Sequence, residues 1–547
     1  MKLKQWLESG SPWIWLTSGA VSVSLISVLG VLLLIGWKGL TYFWPAPLYQ
    51  WHDSEQKMLV GQLYQVDSIP VERLLQARPE LSEQLQGHTN LDRLNIKVAN
   101  RDQLGMDFIS VLGIELSQPQ TPQGWAVIQR AHNGDFFGKP IALLVDGKRI
   151  TGNLVTELES ALTEVDLLRE RRESLVEDHI QRISREQSRI NREIKRLKLN
   201  QGQASEPLIE QKTRLASNMK SAEAELKIID DLLATNALLV TDMRDQEITI
   251  PLSEVFDVWF PNDMNIAQKV AHWFGQVWMF VSDDPRESNS EGGVFPAIFG
   301  TVFLVLLMSV VVTPLGVIAA IYLSEYAKDT AVTRMIRIAV INLAGVPSIV
   351  YGVFGLGFFV YTLGGSIDAL FYSDSLPSPT FGTPGLLWSS LTLALLTLPV
   401  VIVSTEEGLQ RIPSSLRHGS LALGATQFET WWRIVLPMAS PAIITGLILA
   451  VARAAGEVAP LMLVGVVKLA PALPVDGEFP FIHLDRKFMH LGFHIYDVGF
   501  QSPNIEAARP LVYATSFLLV TVIVGLNLTA FTIRNRLREK YRTFGQE

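Results

Sequence analysis

The chain has 547 residues, 48% of them hydrophobic, with a formal charge of −8 and no cysteine. The acidic balance, with no basic stripe, excludes a nucleic-acid partner; the missing cysteines exclude disulfides, thiolate catalysis and cysteine–zinc sites in any compartment. A mean hydropathy of only +0.24 conceals a division into very apolar and very polar stretches.

A short start carrying Lys2 and Lys4 leads into an uncharged run from Trp13 to Trp37. A bilayer core takes about 20 apolar residues, so this run spans with some tilt. It is too long for the apolar part of a signal peptide, and no small-x-small site stands at Trp37-Lys38-Gly39. Residues 1–39 therefore read as an uncleaved anchor.

Between about 40 and 293 nothing is apolar enough to cross. Residues 48–150 alternate apolar and polar positions (KMLVGQLYQV, DFISVLGIEL, GWAVIQRA, PIALLVDGKRI) between Pro, Gly and Asn breaks, which predicts strands. From about 154 to 235 the period changes. Val176, Ile183, Ile190 and Leu197 repeat by sevens, and Leu208, Leu215, Met219, Ala222, Leu226, Ile229 and Leu233 form a second seam beyond a turn at NQGQASEP (200–207). This pattern predicts an antiparallel coiled-coil hairpin, either a spacer or a docking arm for a substrate-binding protein or another envelope partner. Strand-like ALLVTDM and EITIPL then close the β unit, which extends over 40–261. Residues 262–281 predict an amphipathic helix lying on the membrane lipid, and 282–293 a flexible joint.

Five further spans are predicted at about 294–323, 336–363, 386–405, 438–466 and 509–532. Lys328, Arg334, Arg411, Arg417 and Arg433 lie in two of the short connections, and the tail from 534 carries Arg534, Arg536, Arg538, Lys540 and Arg542; the connection 364–385 has no basic residue. The positive-inside rule then puts both termini in the cytoplasm and 40–293 outside, in a periplasm for a Gram-negative cell.

The connection 406–437 is polar and predicted to hold two helices. Pro413 suits the first turn of one that ends at Gly424. Thr426-Gln-Phe-Glu429 is a capping box opening a second, which ends at Leu436-Pro437. Gly419, Ser420, Ala422, Gly424 and Ala425 make the first helix small-sided near its end, so another protein could approach its backbone closely; with Arg417, His418 and Leu421 they form the candidate contact stretch of the loop.

Measured from His418, the spacing to Gly424, Ile434 and Leu436-Pro437 matches the Glu-Ala-Ala-x3-Gly-x9-Ile-x-Leu-Pro loop of binding-protein-dependent ABC importer permeases. With NLAGVPSIVYGVFGLGFFV (342–360), PLGVIAAIYLSEYA (314–327), SLALGAT (420–426) and ARAAGEVAPLMLVG (452–465), the chain resembles the phosphate permease subunits of that MetI-like family over roughly 293–547 and the first span. The resemblance implies an α-helical polytopic membrane protein of six transmembrane helices with a MetI-like permease core, to which this chain adds a large extracytoplasmic β-rich domain. It implies a homologous second permease subunit, a dimeric ABC ATPase on which the 406–437 loop docks, and an extracytoplasmic phosphate-binding protein. No cofactor would be bound by this chain, since ATP is used by the partner. One departure is that the Glu-Ala-Ala triplet is His418-Gly419-Ser420, which removes the acidic residue of the docking loop.

No enzyme is indicated. GDFFGKP (134–140) falls one residue short of a phosphate loop and has Pro in place of Ser/Thr. His490 and His494 have metal-compatible spacing but no third ligand, and read as a surface or interfacial helix face. Arg453 and Glu457 are the exception to an otherwise apolar set of spans. An arginine at a helix centre costs about 2.5–3.5 kcal/mol on insertion scales, and a glutamate at i+4 recovers part of it. The pair is either a structural lock or a translocation-path site. In the second reading Arg453 offers a fork of donors to a tetrahedral oxyanion and Glu457 keeps it poised, the role the resemblance implies for the matching residues. Two rival functions are a permease for another oxyanion, such as molybdate or sulfate, and an envelope adaptor or regulator acting through the coiled coil.

Overall fold

A computed structural model describes residues 11–53, 55–77, 89–145, 147–199, 206–286, 291–373, 378–477, 479–502 and 505–542. Lys2 and Lys4 lie outside these residues, as does most of the 200–207 turn. The chain forms two compact units, Met1–Phe43 with Val277–Glu547, and Trp44–Gln276. The first opens with α1 (Ser11–Thr41).

The Trp44–Gln276 unit is built on two antiparallel sheets. One has the order β1 (Tyr49–His52), β2 (Met58–Pro70), β3 (Asn90–Lys97), β4 (Phe108–Leu112). The other is built from β5 (Ala126–Arg130), β6 (Phe136–Val145), β7 (Lys148–Ile150), β8 (Ala237–Thr241), β9 (Glu247–Pro251) and β10 (Val255–Trp259); its order is β10-β5-β6-β8-β9, with β7 also on β6. Successive strand residues point to opposite faces, and in β5 and β6 both faces are covered. Val127 and Phe137 pack with Leu48, Trp51, Val60 and Ile96. Ala126, Ile128, Phe136 and Leu143 pack with Leu158, Val165, Ile229 and Leu233. This double burial explains the apolar runs, and it makes GDFFGKP a core strand rather than a phosphate cradle.

A helical pair is inserted between β7 and β8. Its outgoing arm is α2 (Leu154–Ser174), a wide turn of π-helix (Leu175–Gln181) and α3 (Arg182–Leu199); its return arm is α4 (Glu206–Leu233). Arg171–Glu225 at 3.0 Å and Arg172–Asp230 at 2.7 Å join the arms. All seven return-arm seam residues pack in the apolar clusters. The outgoing seam departs from the expected repeat. Leu175, not Val176, is buried, and Ile183 follows it by eight positions. A π turn absorbs one extra residue, so the apolar stripe stays on the same face.

The helix α5 (Ile266–Ser282) leads out of this unit, with Ile266, Val270, Phe274 and Trp278 all exposed at four-residue intervals. Beyond it come α6 (Phe295–Ile321), α7 (Ala331–Leu343), α8 (Ser348–Phe354), α9 (Leu386–Gln410), α10 (Ser414–Ala422), α11 (Gln427–Thr430), α12 (Leu436–Gly456), α13 (Leu461–Val464), α14 (Leu491–Tyr496) and α15 (Ile505–Arg542). Among the described residues six helices are long and apolar enough to cross a membrane: Trp13–Thr41, Phe295–Tyr326, Ser348–Phe371, Leu386–Gln410, Gln427–Gly456 and Ala508–Arg536. The helix α9 is central, with 67% of its most apolar stretch buried against 6% for α1. Small residues bring the helices together. A Cβ on Gly446 would meet Ser404 Cβ at 2.7 Å, and one on Gly39 would meet Ala514 Cα at 2.9 Å.

Three expected boundaries are corrected. The stretch 336–363 is not one span: α7 ends before Gly345-Val346-Pro347, and the crossing helix starts afresh at Ser348. Proline disfavours helical backbone in the residue before it, which stops α7 there. The span expected over 438–466 stops at Gly456, because Glu457 is extended (φ −81°, ψ 125°) ahead of Val458-Ala459-Pro460. Conversely, the second loop helix does not end at Leu436-Pro437. A π turn at Trp431–Val435 carries it straight into α12. The ring of Pro437 would clash with the carbonyl four residues back in a regular helix, and that residue, Arg433, lies in the wide turn.

Candidate functional site

Arg453 occupies the last turn of α12 and Glu457 is the residue that ends it. The two therefore do not share a helix face, as the i, i+4 spacing led one to expect. Glu457 folds back instead, with its Oε1 3.6 Å from Arg453 Nε and the side chains 22% and 33% exposed respectively. Such a single, long, part-solvated contact contributes about 1 kcal/mol at most. Among the described residues the terminal nitrogens of Arg453 make no hydrogen bond, so the guanidinium fork is uncommitted. Arg453 also lies within electrostatic reach of Tyr351. The Tyr351 hydroxyl donates to the Leu343 carbonyl at 2.5 Å.

The backbone around the pair is packed to van der Waals limits. A Cβ on Gly352 would meet Pro460 Cα at 2.7 Å, and one on Gly465 would meet Ser389 Oγ at 2.5 Å. The runs PSIVYG and GEVAPLMLVG thus seat on each other, and the Pro460 turn that ends α12 is held by α8.

In the 406–437 loop, α10 starts after Pro413, which is its N-cap rather than a first-turn residue. Gly424 stops it at φ +88°, a conformation that favours glycine. Thr426 and Glu429 form the capping box in both directions. His418, Gly419, Leu421, Ala422 and Gly424 are exposed, Ala425 is half-buried, and Leu423 is 91% exposed. Two residues of the same stretch turn inward. Ser420 is buried, its hydroxyl 2.8 Å from that of Thr430. Arg417 is half-buried and paired with Glu325 at 2.9 Å. The inward turn of Arg417 had no signal in the sequence beyond its place on a helix whose opposite side is small.

His490 and His494 are not on a surface face: they are 1% and 2% exposed. His490 Nδ1 accepts from the Gly492 N–H at 3.1 Å, capping α14. Neither ring nitrogen of His494 has a hydrogen-bond partner among the described residues. Burial pushes both imidazoles down to about 4. Asp497, one turn on, pairs with Lys468 at 3.0 Å. Among the described residues no cluster of three or more His, Asp or Glu could hold a metal. Asp368, which the sequence reading passed over, is 1% exposed and accepts from Phe381 N–H at 2.9 Å and Gly382 N–H at 2.7 Å, fixing the connection after its helix.

Residues 312–542 match the family described as binding-protein-dependent transport system inner membrane component. The phosphate transport system permease protein PstA 1 of Mycobacterium tuberculosis (strain ATCC 25618 / H37Rv) is 39% identical over 44% of this chain and 70% of its own. PstA of Mycobacterium leprae (strain TN) is 35% identical over 44% of this chain and 71% of its own. PstA of Yersinia pestis is 32% identical over 47% and 77%. The unit Trp44–Gln276 lies outside the matched residues. On these matches the chain belongs to the family of binding-protein-dependent transport system inner membrane components, in the company of the PstA permeases.

Proposed function

We infer that this chain is the permease subunit of an ATP-driven ABC importer that moves inorganic phosphate into the cytoplasm. It is non-catalytic and binds no cofactor of its own; a dimeric ABC ATPase partner uses the ATP. A second, homologous permease completes the pore, and an extracytoplasmic phosphate-binding protein delivers the substrate. The membrane is a bacterial inner membrane, with both termini cytoplasmic and about 40–293 outside. The stripe Ile266, Val270, Phe274 and Trp278 supports a lipid-facing α5. The helical pair is read as a coiled-coil arm standing off the β unit.

The observation that carries the reading is Arg453. Its guanidinium is half-buried at a helix break, opposed by one carboxylate, with its terminal donors free among the described residues. That is the state an anion relay needs: charge enough to offset desolvation of phosphate, and a counter-charge that lets it go. ATP binding closes the ATPase dimer, the α10 loop moves with it, and the spans exchange inward for outward access.

The test is uptake by the reconstituted complex with loaded binding protein, comparing phosphate, sulfate and molybdate for wild type and Arg453→Gln. Phosphate alone should be transported. Losing a charge-assisted hydrogen bond of about 1.5–3 kcal/mol lowers the rate roughly 10- to 100-fold. Undiminished uptake by assembled Arg453→Gln removes the site, and no oxyanion uptake at all returns the adaptor reading.

A further inference from the structure

Arg417 sits on α10, whose opposite side is the exposed one, yet its side chain reaches three other elements at once. Nη1 lies 2.9 Å from Glu325 Oε1. Glu325 belongs to the wide turn Tyr322–Tyr326 that ends the α6 span. Nη2 donates to the Leu409 carbonyl at 2.6 Å, at the C-terminal end of α9, where that carbonyl also accepts from the Ile412 N–H at 3.3 Å. The guanidinium carbon stands 5.5 Å from the ring centre of Trp431, the residue that opens the π turn into α12. One planar group therefore touches the ends of three spans, those of α6, α12 and the central α9.

A guanidinium holds its partners in fixed relative directions, where an ammonium is a freely rotating point charge. The loop's second tether, Ser420 to Thr430, stays within the loop. It can hold α10 to α11 and transmits nothing to α6 or α9.

We propose that Arg417, with Glu325, is the positioning pair that passes the movement of the docking loop to the α6 and α9 spans, and that Arg417 is not itself an ATPase contact. The proposal rests on the coupling role given to this loop above. Its outward residues, Leu423 foremost, engage the ATPase; its inward arginine pulls the spans. Removing the pair leaves the complex assembled and the ATPase bound, while hydrolysis and transport come apart.

The test uses the whole complex in proteoliposomes with inorganic phosphate and loaded binding protein. Phosphate taken up per ATP hydrolysed and ATPase retained on purification are measured for Glu325→Gln, Arg417→Lys and the double variant. Each single change is expected to lower uptake per ATP at least about five-fold with the ATPase retained, and the double to be no worse than either single. A merely structural role would reduce the amount of complex and leave that ratio alone. Glu325→Gln decides the matter should Arg417→Lys fail to accumulate. Normal uptake per ATP in either single variant, or single effects that multiply in the double, overturns the proposal. Leu423→Glu separates the two levels. If it releases the ATPase while Arg417→Lys couples normally, only the pair is wrong; if the ATPase stays bound, the docking reading falls and the proposal with it.

Discussion

Acidification should loosen the segment around α14 before anything else in its unit, and His494 is the handle on it. Both His490 and His494 are buried, and burial lowers each from an ordinary 6.5 to about 4. Asp497 would favour the imidazolium of His494, but it already faces Lys468, which opposes it. A base with a depressed native pKa is charged first in the open state. Between about pH 6.5 and 4 the open state therefore binds more protons, and stability falls as pH falls through that window. From about pH 7.5 to about pH 5, a shift from 6.5 to 4 costs roughly 2 kcal/mol per imidazole, or about 4 for the two. Hydrogen exchange over 466–502, corrected for the intrinsic pH dependence of exchange, reads this directly as faster opening at the lower pH. His494→Phe keeps a ring of similar size that cannot charge, and should abolish about half of the acid sensitivity. If His494→Phe opens with the same pH dependence as wild type, burial is not what holds this imidazole neutral and the reasoning fails.

Two other expectations concern the architecture. Shortening the helical pair by joining 181 to 220 through a tight turn removes Ile183, Ile190 and Leu215 but keeps the cluster under β5 and β6. Phosphate uptake should stay within about two-fold of wild type; a loss as deep as that of Arg453→Gln would favour the adaptor reading. The strands permit the cut, since β7 and β8 flank β6 at Leu143, about 10 Å apart at two strand spacings. Gly352→Val drives a branched side chain at Pro460 Cα, where even a Cβ would stand at 2.7 Å. Overpacking of this kind costs about 1–3 kcal/mol and should abolish uptake, with melting of the purified complex showing the lowered stability; wild-type uptake would mean the Pro460 turn need not seat on α8.

Signals that depend on a few neighbouring residues were legible in the chain. The Thr426–Glu429 box, the stop at Gly424 and the return-arm seam all follow from local backbone chemistry and spacing, and the structure contains each. Hydropathy located the spans but misplaced the ends of two of them, 336–363 and 438–466, because it measures composition and not hydrogen bonding. ARAAGEVAPLMLVG is apolar enough to continue a helix, yet the helix stops at Gly456, four residues ahead of Pro460 and ten short of the expected end. The π turns at 175 and 431 were invisible for the complementary reason: they change the number of residues per turn without changing which residue types are apolar. His490 and His494 were misplaced because imidazole is at home on a surface or in a core, and only the packing on α14 decides. Arg453 was legible by its cost in an apolar span, Arg417 was not, since an arginine in a polar loop costs nothing until its partners are known.

The unbroken passage from Gln427 to Gly456 gives the molecule a lever. The capped end of the 406–437 loop and the break that carries Arg453 are the two ends of one continuous helix. About 26 residues separate Gln427 from Arg453, roughly 39 Å at 1.5 Å per residue. A tilt of about ten degrees at the loop end sweeps the arginine through roughly 7 Å, more than the ~5.4 Å pitch of a helical turn. The wide turn at Trp431–Val435 is the place where such a rod can flex without losing its proline. Stiffening that turn, rather than altering any charge, would change how far the tip travels.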